Sequence, residues 1–221
     1  MTGQHRHGAV LERTVALERA IALNRFTIGY NVVEAAVALI AGVAAHSISL
    51  VGFGLDSVIE VSAAFILTWR LTVEGREGCT QEADERATKA IAVAFAALAV
   101  YVAGEAVRQL LNGSAPDTSA VGIVLAALSL AIMPVLARAK RRLAPALGSR
   151  AQVAEANQTS LCALLSAVVL TGLGANALLG WWWTDPAAAL GVAALAGAEA
   201  IRTWRADSLI DTCCAPTVGN G

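Results

Sequence analysis

Residues 51–69 read VGFGLDSVIEVSAAFILTW, a run that is apolar almost throughout yet holds Asp56 and Glu60 near its centre. Neither acid has a Lys or Arg within a helical turn. A spanning helix needs about 20 mostly apolar residues, and the stretch from Ile48 to Trp69 meets that requirement. With a rise of about 1.5 Å per residue, both acids then lie within a few Å of the bilayer midplane. A charged side chain at that depth is disfavoured by about 2.5–3.5 kcal/mol on insertion scales. Their four-residue spacing puts both carboxylates on one helix face, one turn apart. So placed, they can hold a cation between them or pass protons. The structural alternative is a pair of protonated acids that cross-link helices through hydrogen bonds.

The rest of the chain supports a membrane setting. Of 221 residues, 57% are hydrophobic and 15% charged, against about 45–50% and 25% in soluble globular domains. Six segments are long and apolar enough to span: Phe26 to Ala45, Ile48 to Trp69, Ala90 to Leu111, Ser119 to Ala137, Asn157 to Leu179 and Pro186 to Trp204. The expectation is an all-α, polytopic membrane protein with six transmembrane helices in one domain, residues 26–205. A segment of residues 1–25 precedes it and a short Cys-containing tail, 206–221, follows. Residues 5–25 read as a short cytoplasmic helix rather than a secretory signal. Of the 16 Lys and Arg, all but Arg108 fall on the side that holds both termini. By the positive-inside rule both termini are then cytoplasmic, and a multi-pass protein of the cell membrane is expected. The aromatic run Trp181–Trp183 falls at the opposite surface, where indole rings suit the interfacial belt. The basic run 138–142, RAKRR, is read as setting topology and touching anionic lipid headgroups.

Intramembrane acids need a partner check before they count as functional. Glu105 precedes Arg108 and Glu199 precedes Arg202 by three residues, a spacing that allows local pairing near helix ends. Asp56 and Glu60 lack such partners. A polar stripe recurs in the fifth segment at Glu155, Gln158, Cys162 and Ser166, where Gln158 and Cys162 repeat the four-residue spacing of the two acids. A third stripe, Asn24, Thr27, Asn31 and Glu34, marks the first segment. All three extend toward the cytoplasmic ends of their helices, so a shared polar cavity open to the cytoplasm is expected. Hydropathy alone leaves Gln158 and Cys162 below the level of Asp56, so the fifth helix has to begin earlier or shift.

Residues 47–67, SISLVGFGLDSVIEVSAAFIL, resemble the second transmembrane helix of cation diffusion facilitators, including the Asp-x-x-x-acid pair. Residues 156–179 and the WWWTDP turn with its Asp185–Pro186 resemble that family's fifth and sixth helices. The resemblance covers about residues 20–205. It implies a tetrahedral site between helices two and five that binds zinc or a related divalent ion and exchanges it for protons. Carried over, the metal ligands are Asp56 and Glu60 on helix two, with Gln158 and Cys162 standing where the family has His and Asp. The helix-five pair departs from the family pattern, and the C-terminal domain of many members is not expected after Arg205, which makes this a short member.

Two carboxylates and an amide alone form a hard site suited to Mn²⁺ or Mg²⁺. A Cys162 thiolate shifts the preference toward zinc or another thiophilic ion. The expected function is export of a divalent metal by proton antiport, the metal being cargo rather than cofactor. Asn31, Glu34, Glu155, Cys213 and Cys214 are secondary cavity or capture candidates, with His5 and His7 as a weaker pair. Cys79, Cys213 and Cys214 fall on the reducing side, so disulfides are not expected. No nucleophile motif, phosphate loop or cofactor fingerprint points to an enzyme, and no feature points to nucleic acid. Small residues along 90–106 permit close helix packing and hence a homodimer. The rival readings are a non-transporting metal-binding modulator and an organic-cation/proton antiporter.

Overall fold

The computed structural model describes residues 2–73, 81–147 and 150–205. Six helices follow in order: α1 Thr2–Ala44, α2 Ile48–Val73, α3 Gln81–Asn112, α4 Ala120–Leu147, α5 Arg150–Leu179 and α6 Thr184–Arg205. No strand occurs among the described residues. Five of the helices, α1 to α5, contain stretches long and apolar enough to cross a membrane. The protein is an all-helical, polytopic membrane protein. Large apolar side chains on the outside of the bundle, such as Ile40, Val43, Val100 and Leu178, are exposed, as expected where the surrounding solvent is hydrocarbon.

Expected and observed helix ends agree closely at one end of the bundle and diverge at the other. Ala45 against Ala44, Ile48 against Ile48, Leu111 against Asn112, Ser119 against Ala120 and Leu179 against Leu179 are the matching ends. At the basic end, α1 to α5 run on past the apolar stretches into charged sequence. Hydropathy reports where lipid stops, whereas the backbone hydrogen-bond ladder continues through Lys, Arg, Glu and Gln, which are good helix formers. The extension matters most in α5, which starts at Arg150 instead of Asn157.

The packing pattern makes α2 the hub: it touches α1, α3, α5 and α6, while α4 packs on α1 and α5 and α3 packs on α6. In a membrane, helices associate by close packing rather than by water exclusion, so small residues sit at the crossings. Gly54 is the clearest case. A Cβ there would lie 2.9 Å from Leu39 Cγ and 3.1 Å from Ala38 Cβ, so the missing side chain lets α2 settle on α1. Ser57, one turn further along α2, is thereby brought to Glu34. The central core is filled by Phe53, Phe95, Met133 and Leu165, among others.

The end away from the basic loops is cross-linked by polar contacts. Asp185, in the first turn of α6, accepts hydrogen bonds from Ser47 Oγ (2.6 Å), Ile48 N (3.1 Å) and Ser49 Oγ. It thus caps the α2 N-terminus, whose first backbone N–H groups lack intrahelical partners. The Asp117 backbone N–H donates to Ala45 O (2.9 Å). Asn176 Nδ2 donates to Pro116 O (3.2 Å), and Gln109 Nε2 to His46 O (2.6 Å).

Candidate metal centre

Asp56, Glu60 and Cys162 converge between α2 and α5. One carboxylate oxygen from each acid and the Cys162 Sγ all lie within 4.8 Å of one another. Asp56 is 1% exposed, and Glu60 and Cys162 are 0% exposed. Neither oxygen of Asp56 nor of Glu60 has a hydrogen-bond partner. Buried polar groups are nearly always paired, because an unpaired one loses its hydration without compensation. Four unpaired carboxylate oxygens in one small volume, beside a thiol, form a set of donors that a cation or protons would satisfy.

The α1 stripe faces the same interior. Asn24, Thr27 and Asn31 are fully buried and Glu34 is 1% exposed. Both amide atoms of Asn24 and of Asn31, and Oε1 of Glu34, are unpartnered. Glu34 Oε2 accepts from Ser57 Oγ at 2.9 Å and from the Cys162 thiol at 3.9 Å. Tyr30, on the flank of this stripe, ties α1 to α4 through a 2.7 Å hydroxyl contact with Ser129. The expected cavity open to the cytoplasm therefore takes a different form here: the polar stripes meet, but the side chains are sealed inside the bundle.

On α5 the inward face is Glu155, Thr159, Cys162 and Ser166, all buried, with Gln158 only half-buried beside it. Residues 158 and 159 are one 100° step apart, so a spacing of three or four from Glu155 admits either. Glu155 itself is committed elsewhere. Its Oε1 accepts from Lys140 Nζ at 2.7 Å, and Lys140 also donates to Thr159 Oγ1 at 3.0 Å. Lys140 is fully buried. That corrects the reading of the whole 138–142 run as lipid-facing: one of its cations belongs to the interior. Nothing in the sequence distinguishes Lys140 from its basic neighbours except the 3.6-residue period, which turns one position of a basic run inward. Arg141 instead donates at the rim to Asn157 Oδ1 and Ser160 Oγ, each at 3.1 Å.

The local pairs form as expected. Arg108 meets Glu105 at 2.6 Å and Arg202 meets Glu199 at 3.6 Å, which removes those acids from the set of free donors. Cys213, Cys214 and Cys79 lie outside the described residues, as do the side chains of His5 and His7.

Comparison with known proteins bears on a set of helices that includes α5, which carries one of the three donors, Cys162. Residues 87–209, more than half of the chain, match the family model described as the cation efflux transmembrane domain. The chain belongs to the cation efflux family, that of the cation diffusion facilitators. No curated protein matches it. Cation efflux proteins move metal cations across membranes, so the convergent donors sit in a protein whose cargo is a metal ion. The matched residues take in Cys162, Gln158, Lys140 and Asp185; Glu34, Asp56 and Glu60 precede them. For these three acids of the cation efflux bundle, placement rests on the geometry of α1 and α2.

Proposed function

We propose that this cation efflux protein exports a thiophilic divalent ion, zinc foremost, from the cytoplasm in exchange for protons, with both termini cytoplasmic. The supporting observation is the Asp56–Glu60–Cys162 cluster, three buried donors within 4.8 Å whose carboxylates have no other partner. Zinc bonds of about 2.0–2.3 Å in a tetrahedron imply donor separations of roughly 3.3–3.8 Å, which the cluster reaches with side-chain shifts of about an ångström. The mixture of thiol and carboxylate is selective. Oxygen alone suits Mg²⁺ and Mn²⁺, and one thiolate tips the balance toward Zn²⁺ or Cd²⁺.

Proton exchange follows from the same donors. A thiol ligates as thiolate and an acid as carboxylate, so metal binding expels protons, and protons returning to the donors expel metal. Midplane donors that exchange one kind of cation for the other give an antiporter once the site is exposed to each side in turn. Buried donors suit a step between those exposures, in which the ion is shut off from both sides.

The test is zinc flux into proteoliposomes under an imposed pH gradient, with Asp56→Asn and Cys162→Ser as comparisons. The expected result is flux that follows the gradient and vanishes in Asp56→Asn, with Cys162→Ser losing the preference for zinc over manganese. Flux untouched by Asp56→Asn would overturn the assignment of the site. Zinc binding without flux would show a metal-binding protein that does not itself transport.

A further inference from the structure

We infer that Glu34, on α1, is the fourth metal ligand, so that the site is built by three helices and not two. This rests on the metal-site reading above and deepens it. Zinc in a protein site takes four ligands when no position is left to solvent, and the α2–α5 cluster supplies three. Four residues stand close enough by position to be considered for the last place: Gln158, Ser166, Asn31 and Glu34.

Geometry separates them. Gln158 is half-buried at the edge of the inward face. Ser166 donates its hydroxyl proton to Cys162 O at 2.8 Å, and its neutral hydroxyl oxygen is a weaker ligand for a dication than a carboxylate. Asn31 is fully buried and unpartnered, but its donor would be a neutral amide oxygen, the weaker ligand for a dication. Glu34 Oε2 lies 3.9 Å from Cys162 Sγ, close to the roughly 3.3–3.8 Å edge of a tetrahedral zinc site. It is not within 4.8 Å of all three cluster donors at once, so ligation requires the Glu34 side chain to swing toward Asp56 and Glu60. Its other oxygen, Oε1, is buried without a partner. Oε1 shares the unsatisfied state of the Asp56 and Glu60 oxygens, whereas Oε2, the oxygen nearest the thiol, accepts from Ser57.

The contact with Ser57 does not hold Glu34 away from a metal. The Ser57 hydroxyl has one proton and two acceptors in reach, Glu34 Oε2 at 2.9 Å and Phe53 O at 3.1 Å. When Ser57 turns to the Phe53 carbonyl, the Glu34 oxygen is free to ligate and no buried donor is left unpaired. Ser57 follows Asp56 in the sequence, so the same turn of α2 that presents one ligand positions the other. The resulting donor set is one sulfur and three carboxylate oxygens, contributed by α1, α2 and α5.

The experiment uses the full chain in detergent with Co²⁺ as the probe, whose visible bands report the donor atoms directly. The native protein should give the intense bands of a four-coordinate site with a thiolate charge-transfer band that Cys162→Ser removes. Glu34→Gln should weaken Co²⁺ binding by at least about 10-fold, the scale on which even outer-sphere partners act. Glu34→His, which offers nitrogen in place of oxygen, should bind but with shifted visible bands. A role for Glu34 in merely orienting the thiol would leave those bands where they are. Native affinity and native bands in both Glu34 variants, with binding lost in Asp56→Asn, would overturn the inference and leave the three-donor site standing. Native Co²⁺ bands in Asp56→Asn would overturn the three-donor site itself. Should Glu34→Gln fail to run as a monodisperse species, the band position in Glu34→His decides.

Discussion

Lys140 and Glu155 form an ion pair in the interior of the bundle, Nζ to Oε1 at 2.7 Å, with side chains 0% and 3% exposed. The pair joins α4 to α5 at the basic end, and Thr159, one turn before Cys162, shares the lysine proton donors. Removing one member leaves the other charged and unpaired, which typically costs about 3–5 kcal/mol, whereas replacing both by apolar or neutral groups is often tolerated. Lys140→Met and Glu155→Gln should each lower thermal stability in detergent substantially. The double substitution should recover most of the loss. Equal, additive losses in the double variant would show that the two residues act separately.

Asp185 is expected to be a structural residue with little say in metal affinity. It receives the Ser47 and Ser49 hydroxyls and the Ile48 N–H, and an unsatisfied buried donor costs about 1–3 kcal/mol. Asp185→Ala should therefore lower the melting temperature clearly while zinc affinity stays near that of the native protein. A selective loss of zinc binding with unchanged melting would contradict this.

Two glycines of α5 should respond oppositely to the same change. A Cβ on Gly172 would lie 2.5 Å from Ala188 Cβ and 3.0 Å from Thr184 O, whereas one on Gly174 would meet nothing within 4 Å. Gly172→Ala should push α5 off α6 and destabilise by about 1–3 kcal/mol. Gly174→Ala should be neutral or slightly stabilising, because Ala has the better helix propensity. Thermal unfolding of the pair in one detergent decides it.

Metal affinity should rise with pH. Ligands of this class bind as thiolate and carboxylate, so each proton released on binding makes the apparent affinity increase as pH increases. Zinc titrations at a series of pH values should show that direction. The slope should flatten in Cys162→Ser, which has lost one ionisable donor. A slope of the same size with and without the thiol would place Cys162 outside the site.

Much of this architecture is legible in the order of the amino acids, and the limits are physical. Asp56 and Glu60 stand out because acids on an apolar helix without local partners leave few readings: ligands, proton carriers, or protonated cross-links between helices. Cys162 is reached through its stripe, yet the choice between Gln158 and Thr159 is not, since adjacent residues differ by one helical step and the period tolerates both. Lys140 is hidden because its partner lies on another helix and its neighbours are likewise basic. Glu34 is visible as a lone acid; its contact with Ser57 depends on Gly54 letting α2 lie close to α1, and its approach to Cys162 on α5 is likewise a tertiary fact. The ends of the helices toward the basic side escape hydropathy for a different reason, that it describes lipid and not hydrogen bonding.

The continuity of α1 has a geometric consequence. Its 43 residues run without a break from Thr2 to Ala44, which at about 1.5 Å per residue is roughly 65 Å, twice the ~30 Å depth of a hydrocarbon core. About half of the helix therefore stands clear of the lipid as a rod. Glu34 sits on the embedded half of the same rod. The helix that carries Glu34 into the bundle thus also projects beyond the lipid without a break.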